Sequence, residues 1–208
     1  MIKHKNVIHI NSAADTIDDA IECLMQAVYG SHCIFVYPDL RALRKVYAKY
    51  TKLQLENNNI VLLLPFYETT DSVRQVLSEY HDNSIINLDV RKYEKEGSLV
   101  IIDSQKAYFG SAIVDIMTFV QMLIDHAKHF GKNGVCIMAD MGSFYYRNHS
   151  HDDKINQLVK YETSLPSKFD IKLKGFCCYH KKDFDRLNRL QMKEVLEHHG
   201  RQIMVTNN

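Results

Sequence analysis

The sequence predicts an α/β domain in which helices cover both faces of a mainly parallel sheet, giving a three-layer sandwich. Two observations predict this class. Apolar runs of strand length alternate along the chain with helical patterns, which is typical of βαβ units with right-handed crossovers. Several runs, such as residues 60–64 and 135–139, are apolar throughout, as strands buried on both faces usually are.

Seven segments have the length and the apolar character of strands. In chain order they are residues 33–37, 60–64, 85–88, 99–102, 135–139, 171–179 and 202–205. Ligands of parallel sheets bind beyond the carboxyl ends of the strands. We therefore expect the residues that follow these strands to form any binding cleft.

Five helices are predicted between and after these strands. Their expected bounds are residues 39–56, from about 69 to 80, 111–130, 151–164 and 183–198. Asp39 stands where a capping side chain would begin the first of them, and Gly131 where a glycine would end the third. Residues 1–30 are interpreted as an N-terminal extension with an amphipathic helix from about Ser12 to Val28, and residues 31–208 as the main domain.

Size and composition narrow the possible classes of protein. A chain of 208 residues with 46% apolar residues is long enough for one core with additions. Its formal net charge of +1 provides no general attraction to nucleic acid or to an anionic membrane. No stretch reaches the roughly 20 apolar residues that a membrane span requires. Of the five cysteines, four lie in apolar strand-like runs and Cys23 lies in a helical pattern. Such cysteines are typically buried thiols of a reducing compartment, so a cytoplasmic protein is expected.

The glycine pattern argues against a phosphate-binding loop. The chain has eight glycines, and the nearest approach to a glycine-rich loop is residues 131–134 (GKNG). This segment lies between a predicted helix and the strand after it. A phosphate loop requires the opposite order, strand, loop and then helix. Ordinary nucleotide-triphosphate chemistry is therefore not expected.

Two carboxylates are candidates for chemistry. Asp140 ends an apolar strand, where nucleotide hydrolases place a magnesium-binding carboxylate, but a turn or helix-capping role is the favoured interpretation. Glu162 follows Tyr161 in a helical segment, and it faces either solvent or the cleft. Spacing alone leaves both orientations of Glu162 open.

Metal-ligating residues occur, but their spacing predicts no metal site. Residues 149–152 (HSHD) form a polar cluster, and the other candidate ligands, Cys177, Cys178 and His180, lie on a predicted strand elsewhere. Successive strand residues point to opposite faces, so the two adjacent cysteines cannot readily bind one ion. His32 and Cys33 are adjacent in sequence, which is poor geometry for a nucleophilic pair.

Six segments, taken together, resemble the MEDS (methanogen/methylotroph DcmR-type sensory) domain family. They are residues 31–37 (SHCIFVY), 97–103 (GSLVIID), 107–109 (AYF), 139–143 (ADMGS), 161–162 (YE) and 175–184 (GFCCYHKKDF). The resemblance implies a RecA/KaiC-like fold that lacks the phosphate loop. It also implies a ligand-sensing role in signal transduction or transcriptional control, and a homo-oligomer of two or more subunits.

The function predicted from the sequence is a non-catalytic sensory domain without a cofactor or metal. A small ligand or a signalling protein is expected at the cleft formed by His32, Tyr37, Tyr108, Asp140, Tyr161, Glu162 and Tyr179. One alternative is a degenerate nucleotide hydrolase in which Asp140 binds Mg²⁺ and Glu162 activates water. Another is an assembly module that packs on a neighbouring subunit through residues 12–28 or the last helix.

Overall fold

The computed structural model describes residues 10–14, 16–79, 81–82, 84–85, 88–110, 115–146 and 151–205. The strands within them are β1 (Ile10–Ala14), β2 (His32–Tyr37), β3 (Ile60–Leu64), β4 (His81–Asp82), β5 (Ser84–Ile85), β6 (Leu99–Ile101), β7 (Val135–Asp140), β8 (Leu173–His180) and β9 (Arg201–Val205). Seven of them form one sheet in the order β1-β9-β2-β8-β7-β3-β6. Every pair of neighbours in that sheet is parallel, which confirms the predicted architecture.

Helices cover both faces of this sheet. They are α1 (Ile17–Met25), α2 (Leu40–Glu56), α3 (Thr70–Glu79), α4 (Val90–Lys95), α5 (Ser104–Phe109), α6 (Ile116–His129), α7 (Gly142–Tyr145), α8 (His151–Ser164), α9 (Lys181–Phe184) and α10 (Arg189–Glu197). Within the described ranges, every helix is too short or too polar to span a bilayer.

The two faces of the sheet carry separate apolar cores. In β2, Phe35 packs with the side chains of α1 to α4, whereas its neighbour Ile34 packs with those of α8 and α10. The second face continues beneath α6, where Ile137 of β7 packs. Strand side chains alternate between faces, so a strand that is apolar throughout supplies both cores. This arrangement confirms the three-layer sandwich.

Local signals place several helix ends where the sequence predicts them. The side chain of Asp39 accepts a hydrogen bond of 2.8 Å from the backbone N–H of Ala42 and begins α2. Gly131 follows α6 with φ of +65°, a left-handed conformation that glycine adopts without strain. The GKNG segment lies between α6 and β7 as predicted, with the order of elements opposite to that of a phosphate loop.

Other boundaries in the prediction were wrong. The N-terminal helix begins at Ile17 and not near Ser12, because residues 10–14 pair with β9 as a strand and Thr16 forms a capping box with Asp19. The predicted helix 183–198 is two helices, α9 and α10, since Asn188 begins a new capping box. The predicted strand 85–88 does not join the main sheet through its described residues, and Ile85 instead pairs with His81 in a small antiparallel ladder.

Some predictions fall outside the described residues. These are the end of the second predicted helix at residue 80 and the start of the third at residues 111–114. Three short helices were not predicted: α4, α5 and α7, which have six, six and four residues. Helices of one or two turns carry too little periodicity to be recognised.

Candidate functional site

The sheet divides the predicted site residues into two groups. Tyr37 belongs to the core beneath α1 to α4. Asp140 is on the same side, because its carboxyl group accepts a hydrogen bond from the Tyr37 hydroxyl. The other five residues lie on the opposite side, where Tyr108, Tyr161 and Tyr179 pack with α5 to α8. The structure therefore forms two buried polar clusters, one on each face, in place of one cleft with all seven residues.

On the first face, Asp140 is buried at the carboxyl end of β7. Its carboxylate accepts hydrogen bonds from the Tyr37 hydroxyl at 3.1 Å and from the backbone N–H of Gly142 at 2.9 Å. The second bond closes the turn into α7, which is the role that the sequence favoured. Burial raises the pKa of Asp140 to about 7 because desolvation disfavours the charged form. A cavity of about 30 Å³ lies beside it, lined partly by Tyr47, Tyr67 and Glu68.

The aromatic residues at this edge pack on one another. The hydroxyls of Tyr67 and Tyr146 both donate to the carboxylate of Asp183. The ammonium of Lys182 lies 4.9 Å from the centroid of the Tyr67 ring and 5.9 Å from that of Tyr146. Phe66 stacks on Tyr146 with ring centroids 5.6 Å apart. Mutual packing thus accounts for aromatic residues that could otherwise have stacked on a flat ligand.

On the second face, four titratable side chains converge in a cluster that we name the His–Glu–Cys–His cluster: His32, Glu162, Cys177 and His199. All four are buried, and their candidate ligand atoms lie within 4.8 Å of one another. Oε2 of Glu162 is 3.4 Å from Nε2 of His199, 3.4 Å from Sγ of Cys177 and 3.9 Å from Nε2 of His32. Sγ of Cys177 is 3.4 Å from Nε2 of His32. The Tyr179 hydroxyl donates to the other oxygen of Glu162.

Four separate elements bring this cluster together. His32 begins β2, and Cys177 lies on the neighbouring strand β8, opposite Ile34 and therefore on the same face as His32. Glu162 comes from the last turn of α8. His199 lies just before β9, the other neighbour of β2, and the following N–H, that of Gly200, donates to the carbonyl of His32. The sheet order thus places the two histidines side by side, with ring centroids 4.0 Å apart.

Backbone contacts orient both imidazoles. Nδ1 of His32 lies 3.1 Å from the carbonyl oxygen of Pro166, and Nδ1 of His199 lies 2.7 Å from that of Val195. A carbonyl oxygen only accepts hydrogen bonds, so each Nδ1 carries a hydrogen. In a neutral ring the remaining nitrogen, Nε2, then presents its lone pair toward Glu162.

Burial also sets the charge states in the cluster. Desolvation, reinforced by His199, lowers the pKa of His32 to about 4, which leaves that imidazole neutral near pH 7. Burial, reinforced by the charge of Glu162, raises the pKa of the Cys177 thiol well above its usual range. Burial alone would also raise the pKa of Glu162, but the histidines and the Tyr179 hydroxyl lower it overall. The Glu162 carboxylate therefore lies beside a neutral His32 and a protonated Cys177 thiol, and the Tyr179 hydroxyl donates to its other oxygen.

A cavity of about 40 Å³ adjoins this cluster beneath α6 and α8. His32, Cys177, Tyr108 and Tyr161 line its polar side, and the rest of the wall is mostly apolar. The rings of Tyr108 and Tyr161 are 5.2 Å apart in an edge-to-face arrangement. Five of the seven predicted ligand-binding residues therefore lie in or beside one region of the second face.

His199 was not predicted as a site residue, and Cys177 was considered only as a candidate metal ligand together with Cys178 and His180. Cys178 faces the opposite core, as the strand alternation predicted. Of the HSHD cluster, residues 149 and 150 lie outside the described residues. No spacing in the sequence links residues 32, 162, 177 and 199, because only the strand order β9-β2-β8 makes them neighbours.

Comparison with known proteins gives one family. A family model described as "MEDS: MEthanogen/methylotroph, DcmR Sensory domain" matches residues 31–200. The match spans β2 to α10 and contains all four residues of the His–Glu–Cys–His cluster. No curated protein matches the chain.

Proposed function

The chain belongs to the MEDS family of sensory domains, and from this premise we propose that it binds a small ligand in the cavity beneath α6 and α8. The observation that carries the proposal is the composition of that cavity wall. It combines an apolar surface with the polar side chains of His32, Cys177, Tyr108 and Tyr161. Small-molecule sites commonly combine an apolar wall with a few polar groups that orient the ligand.

The size of the cavity bounds the ligand. A volume of about 40 Å³ accommodates about three water-sized groups, since one water needs roughly 10–15 Å³ by this measure. A ligand of a few non-hydrogen atoms therefore fits without rearrangement. A nucleotide does not fit this cavity. In addition, Asp140 and Glu162, the pair that the hydrolase alternative requires, lie on opposite faces of the sheet and share no hydrogen-bond partner among the described residues.

A thermal-shift screen followed by calorimetry tests this proposal. The panel consists of short-chain alcohols, amines, amides and carboxylic acids, with ATP and GTP as a nucleotide arm. We expect at least one small molecule to raise the Tm, because a ligand that binds only the folded state stabilises it by mass action. Tyr161→Phe should weaken that ligand by about threefold to tenfold, the usual worth of one hydrogen bond.

Tyr146→Phe is the matched control, because the Tyr146 hydroxyl donates to Asp183 at the other cluster. It should leave the ligand's affinity unchanged. Equal losses in the two variants, or binding of nucleotides alone, would contradict the proposed site.

The output of the domain is a further part of this proposal. We propose that ligand binding is passed on through self-association or a signalling partner, in signal transduction or transcriptional control. Met122 and Phe130 at α6 and Leu190 on α10 are exposed large apolar side chains that such an association could bury. The relation to the RecA/KaiC-like core is retained here as a proposal, supported by the parallel sheet with helices on both faces.

A further inference from the structure

The His–Glu–Cys–His cluster has the donor set and the spacing of a transition-metal site. It offers two imidazole nitrogens, one carboxylate oxygen and one sulfur, all buried. Mg²⁺ and Ca²⁺ bind almost entirely through oxygen, whereas mixed nitrogen and sulfur donors with four ligands are typical of Zn²⁺. We propose that His32, Glu162, Cys177 and His199 bind one divalent transition-metal ion, with Zn²⁺ as the best fit.

The distances between the donor atoms support this proposal. Zinc binds nitrogen and oxygen at about 2.0–2.2 Å and sulfur at about 2.3 Å, so the donors of a tetrahedral site lie about 3.3–3.7 Å apart. Three of the separations in the cluster are 3.4 Å, and that between His32 and Glu162 is 3.9 Å. The other two separations, from His199 to His32 and to Cys177, are at most 4.8 Å. An ion at the centre therefore requires side-chain adjustments of about 1 Å or less.

One donor atom of the cluster is an unpartnered polar atom in the interior. Among the described residues, Nε2 of His199 is fully buried and has no hydrogen-bond partner, and it lies 3.4 Å from Oε2 of Glu162. With Nδ1 on a backbone carbonyl, Nε2 is the imidazole atom that each histidine turns toward this carboxylate oxygen. A bound cation would contact the two nitrogens, the oxygen and the sulfur together.

The surrounding groups have the arrangement that metal sites use to orient their ligands. Each histidine has its Nδ1 on a backbone carbonyl, of Pro166 or Val195, and the free oxygen of Glu162 accepts from Tyr179. Such outer contacts fix the tautomer and the direction of each ligand before the ion arrives. The ion would join β2, β8, α8 and the segment before β9, and so would stabilise the packing of α8 on the sheet.

The proposed metal site shares His32 and Cys177 with the wall of the small-ligand cavity, so the test uses the full chain with no small molecule added. Purified protein is analysed for metal content, and Zn²⁺ affinity is then measured by competition with a chromogenic chelator. We expect one equivalent of metal per chain and a Tm that rises with Zn²⁺ and falls with EDTA. Co²⁺ substitution should give the intense visible bands of a tetrahedral site and a thiolate charge-transfer band in the near ultraviolet.

Cys177→Ser and Cys178→Ser form a matched pair, since both thiols are buried on β8 but they face opposite cores. Cys177→Ser should remove the charge-transfer band and weaken Zn²⁺ binding by more than about a hundredfold, because it removes a ligand and not only an outer contact. Cys178→Ser should retain both properties. Tyr179→Phe keeps all four ligands and should weaken binding by about tenfold to a hundredfold.

If Cys177→Ser fails to fold, the Zn²⁺ affinity of Tyr179→Phe decides the test, because an affinity equal to that of the wild type would contradict the proposed site. Metal-free wild-type protein that binds Zn²⁺ no more tightly than Cys177→Ser does would overturn the proposal. A six-coordinate Co²⁺ spectrum without a sulfur band would also overturn it. Either result would identify the cluster as a buried hydrogen-bonded network without a metal ion.

Discussion

Asp140 shows how burial of one side chain makes stability depend on pH. Its carboxyl is almost fully buried and has two hydrogen-bond donors, the Tyr37 hydroxyl and the N–H of Gly142. These donors lower its pKa, but desolvation outweighs them and raises it from 3.8 to about 7. The folded protein therefore holds this proton over a range in which the unfolded chain has released it.

The sign of the pH effect follows from this difference. Below pH 3.8 both states are protonated at Asp140, and between pH 3.8 and about 7 only the folded state keeps the proton. The contribution of this group to the free energy of unfolding therefore falls as pH rises through that window, and it is constant above it. Asp140→Asn should remove this decline and so make the slope of the unfolding free energy against pH more positive in that window, as measured by urea unfolding at a series of pH values.

Tyr37→Phe provides the opposite change for the same measurement. It removes a hydrogen bond that lowers the pKa of Asp140, so the loss of stability should extend to higher pH than in the wild type. If the free energies of unfolding of Asp140→Asn and the wild type change in parallel from pH 4 to 7, Asp140 does not titrate as described.

At the scale of single elements, capping side chains determine where the helices begin. Thr16 and Asp19 form one capping box at α1, and Asn188 and Gln191 form another at α10. Both follow the short pattern of a capping residue with an acidic or amide side chain three positions later. The break between α9 and α10 was therefore readable from the sequence, but the apolar periodicity across it suggested one continuous helix.

Asp39 offers a direct test at this scale, because its side chain caps α2 through the N–H of Ala42. Asp39→Ala should lower the free energy of unfolding by about 1 kcal/mol, within a usual range of about 0.5–2 kcal/mol. Asp39→Asn preserves a hydrogen-bond acceptor and should lower the free energy of unfolding by only about 0.3 kcal/mol. The urea midpoint of unfolding, compared at a constant m value, provides the measurement. Equal losses of stability in the two variants would exclude a capping role for Asp39.

At the scale of the whole molecule, the segment before residue 31 contributes to the common fold. β1 pairs with β9 at the edge of the sheet, and α1 adds Ala20, Ile21 and Leu24 to the core shared with α2. The family match begins at residue 31. The division of the chain at that residue stays a prediction, although the packing of α1 connects the two parts.

Leu24→Ala tests how much the fold depends on α1. Leu24 is fully buried, so its truncation should cost about 2–5 kcal/mol through lost burial and the cavity left behind. Val28→Ala is the control, because Val28 is 68% exposed and should change stability by less than about 0.5 kcal/mol. Thermal or urea unfolding compares the two. A loss no larger in Leu24→Ala than in Val28→Ala would mean that α1 is a detachable addition.

The sequence by itself determined the fold class, because apolar runs of strand length and helical periodicity are local patterns. It also determined the capping role of Asp39, the end of α6 at Gly131, and the family resemblance over most of the chain. The tertiary structure alone decided which polar residues meet. Residues 32, 162, 177 and 199 become neighbours only because β9 and β8 flank β2, and the sheet separates Asp140 from Glu162. Strand order depends on packing between distant segments, and no local pattern of residues encodes it.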